Sequence, residues 1–216
     1  MNKKVLIMVA VEAEQTAVLR GLRGNNSFEV KLAGVGPVAA TINTAKALIG
    51  NEYSYIISAG IAGGFEDRAE IGSIVVASEM IAGDLGAETP EGFSSLNELG
   101  FGSTIIKADT SLSNRYMETL SASAIVPVHL GPIITMSTVT GTAATASRLA
   151  SRIPGVIAEG MEGFGVASAA QAYGLSALEI RTISNCVGPR DKSAWRIGDA
   201  LLSLEQAFTI IPEVLL

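Results

Sequence analysis

Residues 155–196 read GVIAEGMEGFGVASAAQAYGLSALEIRTISNCVGPRDKSAWR, and their pattern decides the fold. A short apolar segment, Gly155-Val156-Ile157-Ala158, leads to two acids, Glu159 and Glu162. The small residues Gly163, Gly165, Ala167, Ala169 and Ala170 come next, in a segment that predicts a helix packed closely on a sheet. Gly174 is the kind of residue that ends such a helix. The run Leu178-Glu179-Ile180-Arg181-Thr182-Ile183 then predicts a buried strand that delivers Ser184 and Asn185 at its end. Strand, carboxylate, helix, strand and amide make a βαβ unit with polar groups at its strand ends. Open α/β sheets bind ligands at the carboxyl ends of their strands.

The flanking sequence extends the same alternation. Val5–Val11 predicts a central strand and Glu12–Leu22 the helix after it, with Glu12 and Glu14 in the first turn. Acids are favoured there by the helix dipole whether or not they do chemistry. Phe28–Ala33 predicts a second strand, and Gly34-Val35-Gly36-Pro37 a turn whose proline opens a helix through Ile49. Tyr55–Phe65 predicts a buried strand running into a glycine-rich loop, where a backbone can approach a ligand closely. Neither a P-loop ending nor G-x-G-x-x-G spacing is present. Ile71–Ser78 predicts another strand, and residues 82–102 a long acidic loop in which Phe93 and Phe101 are placed to cover a ligand. Ser111–Ala124 and Thr142–Arg152 read as helices, Pro127–Thr135 as a strand, and Ile197–Leu216 as an amphipathic helix broken near Pro212. His129, alone in its strand, reads as a structural residue.

Composition bounds the function. The chain has 216 residues, 48% hydrophobic and 17% charged, which predicts one domain over residues 1–216. A net charge of −6 without a basic stripe argues against nucleic acid and anionic membrane surfaces as partners. A single cysteine, Cys186, and a single histidine leave no intrachain disulfide, no Cys/His zinc site and little scope for a histidine-based triad. Lys3-Lys4 followed by Val5–Val11 is too short for a signal peptide, and no run is apolar enough to cross a bilayer; a cytoplasmic location is expected.

The unusual chemistry gathers at four predicted strand ends: Glu14, Gly60–Gly64, Glu162 and Asn185. Brought to one edge of a sheet, they would form a cleft with two carboxylates, a neutral amide, a glycine floor and no metal ligand set. No cofactor is implied. Such an inventory suits cleavage of a glycosidic bond through an oxocarbenium-like state. It fits a non-catalytic nucleoside pocket equally well.

Five segments carry a family resemblance: VAVEAE at 9–14, AGVG at 33–36, SAGIAGG at 58–64, GMEG at 160–163 and RTISN at 181–185. Together, in this order, they resemble the nucleoside phosphorylase and nucleosidase superfamily over essentially the whole chain. DLGAETPEGF at 84–93 and SNCVGPRDKSAWR at 184–196 are most similar to the futalosine hydrolases within it. The resemblance implies a three-layer α/β/α fold with a mixed central sheet. It implies that Glu14 positions and deprotonates the attacking water, that Met161 packs on the ribose, and that Glu162 accepts hydrogen bonds from the ribose hydroxyls. Val139 and Thr140 would line the base pocket, with Ile61, Ala62 and Gly63 near the water and ribose.

Asn185 stands where the adenine-specific nucleosidases of this superfamily carry aspartate. An amide donates to a 6-oxo group and accepts from a protonated N7, which favours hypoxanthine as the leaving base. Arg190, Trp195 and Arg196, with Lys192 nearby, are candidates to hold the carboxylate on the 5′ side of futalosine. No arginine stands beside the motifs at the place a phosphorylase would need one, and Arg20, Arg23 and Arg68 cannot be located from sequence; hydrolysis is the expected reaction. The implied activity is hydrolysis of the N-glycosidic bond of futalosine to hypoxanthine and dehypoxanthine futalosine, a step toward menaquinone. The alternatives are a methylthioadenosine/S-adenosylhomocysteine nucleosidase, a purine nucleoside phosphorylase, and a nucleoside-binding protein without catalysis. Relatives in this superfamily are homo-oligomers in which a neighbour's loop completes the 5′ pocket, a role that residues 84–101 would fill here.

Overall fold

The computed structural model describes residues 4–123 and 126–215. Its strands are β1 (Lys4–Val9), β2 (Phe28–Leu32), β3 (Tyr53–Gly64), β4 (Ile74–Ala82), β5 (Gly86–Thr89), β6 (Gly92–Ser95), β7 (Ile105–Lys107), β8 (Val128–Thr135), β9 (Ala158–Gly160) and β10 (Ala177–Cys186). Its helices are α1 (Glu12–Leu22), α2 (Pro37–Leu48), α3 (Leu96–Leu99), α4 (Thr110–Ser123), α5 (Ala143–Arg152), α6 (Gly163–Ala172) and α7 (Ile197–Leu215).

Alternation along β1 shows how the layers form. Val5, Ile7 and Val9 enter one core with Ala17 and Val18 of α1, Tyr116 of α4, and Leu204, Phe208 and Ile211 of α7. Leu6 and Met8 face the opposite way, into a second core with Ala40 and Leu48 of α2 and Val166 and Ala170 of α6. A strand whose two faces are both apolar must be covered on both sides, so the fold is α/β/α. A smaller cluster under α5 joins Phe65, Ile134, Leu149 and Val187.

The sheet is mixed, as the family resemblance implies, but it closes on itself instead of staying open as the βαβ reading of residues 155–196 predicts. β2, β1, β3 and β10 are parallel neighbours, but β10 continues antiparallel to β4, β4 parallel to β8, β8 parallel to β9, and β9 antiparallel to β3. These pairings close a ring of β3, β10, β4, β8 and β9, with β1 and β2 as an extension. Two features allow the closure. β1 stops at its Val9–Ala59 pairing while β3 runs on through Gly64, so the freed edge at Gly63 and Gly64 takes β9. The register of β4 against β8 shifts between Ala77 and Met80, opposite Pro132, and an irregularity of this kind bends a strand. β9 and β10 therefore run in opposite senses, and residues 155–196 do not make a parallel βαβ unit.

Other expectations change in detail. The glycine-rich segment is strand, because Ile61–Gly64 pair with Thr182–Cys186 of β10. Residues 82–102 hold the β5–β6 hairpin and α3 rather than a bare loop. The C-terminal helix passes unbroken through Pro212. Proline removes one hydrogen bond there, and the buried stripe of Phe208, Ile211 and Val214 holds the last turns in place. The predicted end of α4 at Ala124 lies outside the described residues.

Candidate active site

Glu14 occupies the third position of α1, directly after β1. Its Oε2 accepts from the backbone N–H of Ala10 (2.9 Å) and Val11 (3.3 Å), and its Oε1 from the N–H of Ile61 on β3 (2.9 Å). One carboxylate thus ties the start of α1 to β3, and only 3% of the residue remains exposed. Gly60 makes this approach possible. A Cβ at Gly60 would lie 2.4 Å from Glu14 Oε1 and 2.8 Å from Arg181 Nη1. Gly60→Ala is therefore expected to destabilise the protein by about 1–3 kcal/mol through overpacking. Because the displaced group is Glu14, kcat/KM should fall by about 10-fold or more; unfolding midpoints and steady-state rates would measure the two effects.

Glu162 precedes α6. Its Oε1 accepts from the N–H of Gly36 (3.2 Å), whose φ of 89° aims that donor from the turn before α2. Its Oε2 accepts from Arg181 Nη1 (3.2 Å). Arg181 is 1% exposed, donates through Nε to Glu179 Oε1 (2.8 Å) and through Nη2 to Ser58 Oγ (3.1 Å). Glu179 is fully buried, and its Oε2 has no hydrogen-bond partner.

Three carboxyls, Glu14, Glu162 and Glu179, thus surround one guanidinium. Burial raises the pKa of Glu14 above the usual glutamate range, partly offset by the Arg181 charge and the Ile61 N–H and reinforced by Glu162. Burial likewise raises Glu179, against the pull of Arg181. Burial opposes the charge on Arg181, yet Glu179, Glu162 and Glu14 outweigh it and hold its pKa above the ordinary guanidinium value. One buried cation cannot neutralise three anions, and Glu14 and Glu179 hold a proton more readily than exposed glutamates do. That environment suits a general base near neutral pH.

Asn185 sits at a bulge. Ile183 pairs with Ala62 and Asn185 with Gly63, so Ser184 is the extra residue and re-aims the Asn185 side chain. Ser184 Oγ lies 2.8 Å from Asn185 Oδ1 and 3.2 Å from the Ala62 carbonyl, which share its one proton, and Asn185 Nδ2 donates to the Cys186 carbonyl (2.9 Å). Each end of the amide keeps capacity for one further bond.

These groups share one cleft of about 360 Å³. Of the residues singled out in the sequence, Glu14, Ile61, Ala62, Gly63, Val139, Thr140, Met161, Glu162, Asn185 and Trp195 line it. Arg190 and Arg196 do not; Arg196 is exposed and pairs with Asp199 at 3.0 Å. Arg20 pairs with Glu205, and Arg68 donates to the Val156 carbonyl (2.8 Å). His129 pairs with Glu70 at 2.7 Å and is not part of the cleft.

Sequence reasoning missed Arg181, Glu179 and Ser58, and passed over Glu159. The expectation concerned an arginine at the place a phosphorylase would need one; Arg181, the first residue of the RTISN motif, lies instead beneath the cleft among acids. The signal was available, since two charged residues alternating within an apolar strand must be paired to be buried. The functional consequence of the expectation stands on other ground. Arg181 is already engaged by two carboxylates, and among the described residues lining the cleft no lysine or arginine faces it.

Comparison with known proteins gives the family. The family model described as the phosphorylase superfamily matches residues 11–211. Futalosine hydrolases of Streptomyces coelicolor and Acidothermus cellulolyticus are each 42% identical over 98% of the chain, spanning 96% and 91% of their own lengths. The native structure of futalosine hydrolase from Helicobacter pylori strain 26695 has the same fold, with a TM-score of 0.84 at 19% identity over 98% of both chains. The chain belongs to the futalosine hydrolase family of the phosphorylase superfamily.

Proposed function

We propose that this protein hydrolyses the N-glycosidic bond of futalosine, releasing hypoxanthine and dehypoxanthine futalosine on the route to menaquinone. The observation that carries the reading is the cleft itself: a desolvated Glu14, an acceptor at Glu162 and a neutral amide at Asn185 face one volume that no free cation among the described residues lines. In this reading Glu14 takes a proton from water held near the Ile61 amide as the water attacks the anomeric carbon. Glu162, with one oxygen on Gly36 and one on Arg181, accepts from the ribose hydroxyls, and its charge stabilises the developing oxocarbenium ion. Met161 packs on the sugar, and Asn185 meets the departing base. Phosphorolysis would need donors for a phosphate anion, and Arg181 is taken up by acids beneath the cleft. Trp195 offers an aromatic wall toward the 5′ side. Arg190 and Arg196 remain the cations nearest in sequence to hold the 5′ carboxylate.

A second copy of the chain is part of the proposal. Pro37, Val38, Leu85 and Phe164 line an apolar trough that also borders Thr135, and Val38 is 72% exposed. The trough adjoins Val35 and Glu162 through the start of α2 and α6, where a neighbour's loop would close the 5′ side.

The test is release of free base from futalosine, methylthioadenosine and inosine, each with and without phosphate. Hypoxanthine from futalosine at a phosphate-independent rate is expected. Adenine released from methylthioadenosine at a comparable rate would overturn the substrate, and a requirement for phosphate would overturn hydrolysis.

A further inference from the structure

One buried acid in the cleft has no part in this mechanism. Glu159, on β9, accepts at Oε1 from the Thr140 N–H (2.8 Å) and at Oε2 from the Thr140 hydroxyl (2.5 Å). Left to itself, the 139–140 wall would show the cleft a backbone donor and a hydroxyl. Glu159 takes both, so this wall carries a carboxylate, which only accepts.

The register says where that carboxylate stands. Gly63 of β3 pairs with Asn185 of β10 on one side and with Glu159 of β9 on the other. Residues directly opposite across neighbouring strands share a face of the sheet. Asn185 and Glu159 therefore flank Gly63 on one face, about 10 Å apart at Cα by two interstrand spacings. Gly63 has no Cβ, so Asn185 and Val187 pack down onto the β3 backbone beside it. A Cβ there would lie 2.9 Å from Val187 Cγ2 and 3.2 Å from Asn185 Nδ2. Asn185 and Glu159 line the same cleft of about 360 Å³, which therefore carries an amide on one wall and a carboxylate on another.

The two groups discriminate unequally. The Asn185 amide, held by Ser184 and the Cys186 carbonyl, still offers a donor to a 6-oxo group and an acceptor to a 6-amino group. A carboxylate does not have that freedom. A 6-oxopurine presents N1–H, a donor, beside its O6; a 6-aminopurine presents the N1 lone pair beside its amino group. We infer that Glu159 selects the leaving base, accepting N1–H of a 6-oxopurine and disfavouring the N1 lone pair of a 6-aminopurine, with Asn185 holding the O6/N7 edge. Each Glu159 oxygen keeps a second lone pair for this after Thr140 is satisfied. The inference rests on the nucleosidase reading of the cleft and adds the residue that fixes its base.

The experiment measures Kd for free hypoxanthine and free adenine by titration calorimetry, in the wild type and in Glu159→Gln. The wild type is expected to prefer hypoxanthine by about 100-fold or more, since the wrong base leaves buried groups unpaired. Glu159→Gln keeps the volume and supplies an amide that serves either base, so the preference should shrink by about 10-fold or more. A folded Glu159→Gln protein with an unchanged preference would overturn the role of Glu159 while leaving hypoxanthine as the base. A wild-type preference for adenine would sink the leaving-base reading as a whole. Should the variant not fold, wild-type binding of 1-methylhypoxanthine decides: a loss of about 10-fold or more against hypoxanthine is expected, and equal affinity would overturn the contact.

Discussion

Glu14→Gln should lower kcat on futalosine by about 10³-fold or more, within the range that a lost general base commands. KM should change little, because the ribose and base contacts belong to Glu162, Met161 and Asn185. Glutamine keeps the shape but not the basicity. It also presents an NH2 group to either the Ile61 N–H or the Ala10 and Val11 N–H pair, all of which now donate to the carboxylate. The wild-type pH profile carries the same assignment. Burial raises the pKa of Glu14, and the base works only when ionised. The acid limb of kcat/KM should therefore lie above the range where an ordinary glutamate titrates, with activity climbing as pH rises through that limb. Stability runs the other way in this window. The folded protein binds more protons than the unfolded chain between the usual glutamate pKa and the raised one, so the contribution of Glu14 to stability falls as pH rises through it. Wild-type kcat in Glu14→Gln would remove this residue from the chemistry.

Much of this site was legible in the sequence because its residues stand at the ends of strongly patterned elements. The apolar runs at 5–9 and 177–183 fix two central strands, and Glu14 and Asn185 come after them at distances that a strand end dictates. Glu162 was legible for the same reason, as the residue between a short strand and a helix of small residues. The closure of the sheet was not legible. It depends on β9, a strand of three residues, joining the edge that β1 leaves free, and a segment so short has no periodicity to read. Nor was the buried cluster. Glu179 and Arg181 lie two apart in a strand and so share a face, but whether that face meets solvent or a core is decided by α6 packing across it. The cations at 190 and 196 stay outside the cleft because both side chains are exposed, where charges are held only weakly, and Arg196 turns to Asp199.

Arg181→Met is expected to cost about 3–5 kcal/mol in unfolding free energy, the usual penalty for removing one partner of a buried ionic cluster. The lost pairing matters less than what remains. Glu179 is fully buried with one oxygen already unpartnered, and without Arg181 Nε its other oxygen loses its donor as well. Glu162 would keep only the Gly36 N–H. A second substitution separates this cause from ordinary loss of packing. In Arg181→Met/Glu179→Met the orphaned acid is gone and two apolar side chains of similar length fill the space. Urea midpoints should show the double variant recovering a large share of the loss, a non-additivity that independent sites would not give. Activity should not recover with it. Arg181 lowers the pKa of Glu14 against burial, so both variants should move the acid limb of kcat/KM to higher pH. A double variant no more stable than Arg181→Met would show that Glu179 is not the strained partner. An unmoved acid limb would show that the guanidinium acts on Glu162 alone.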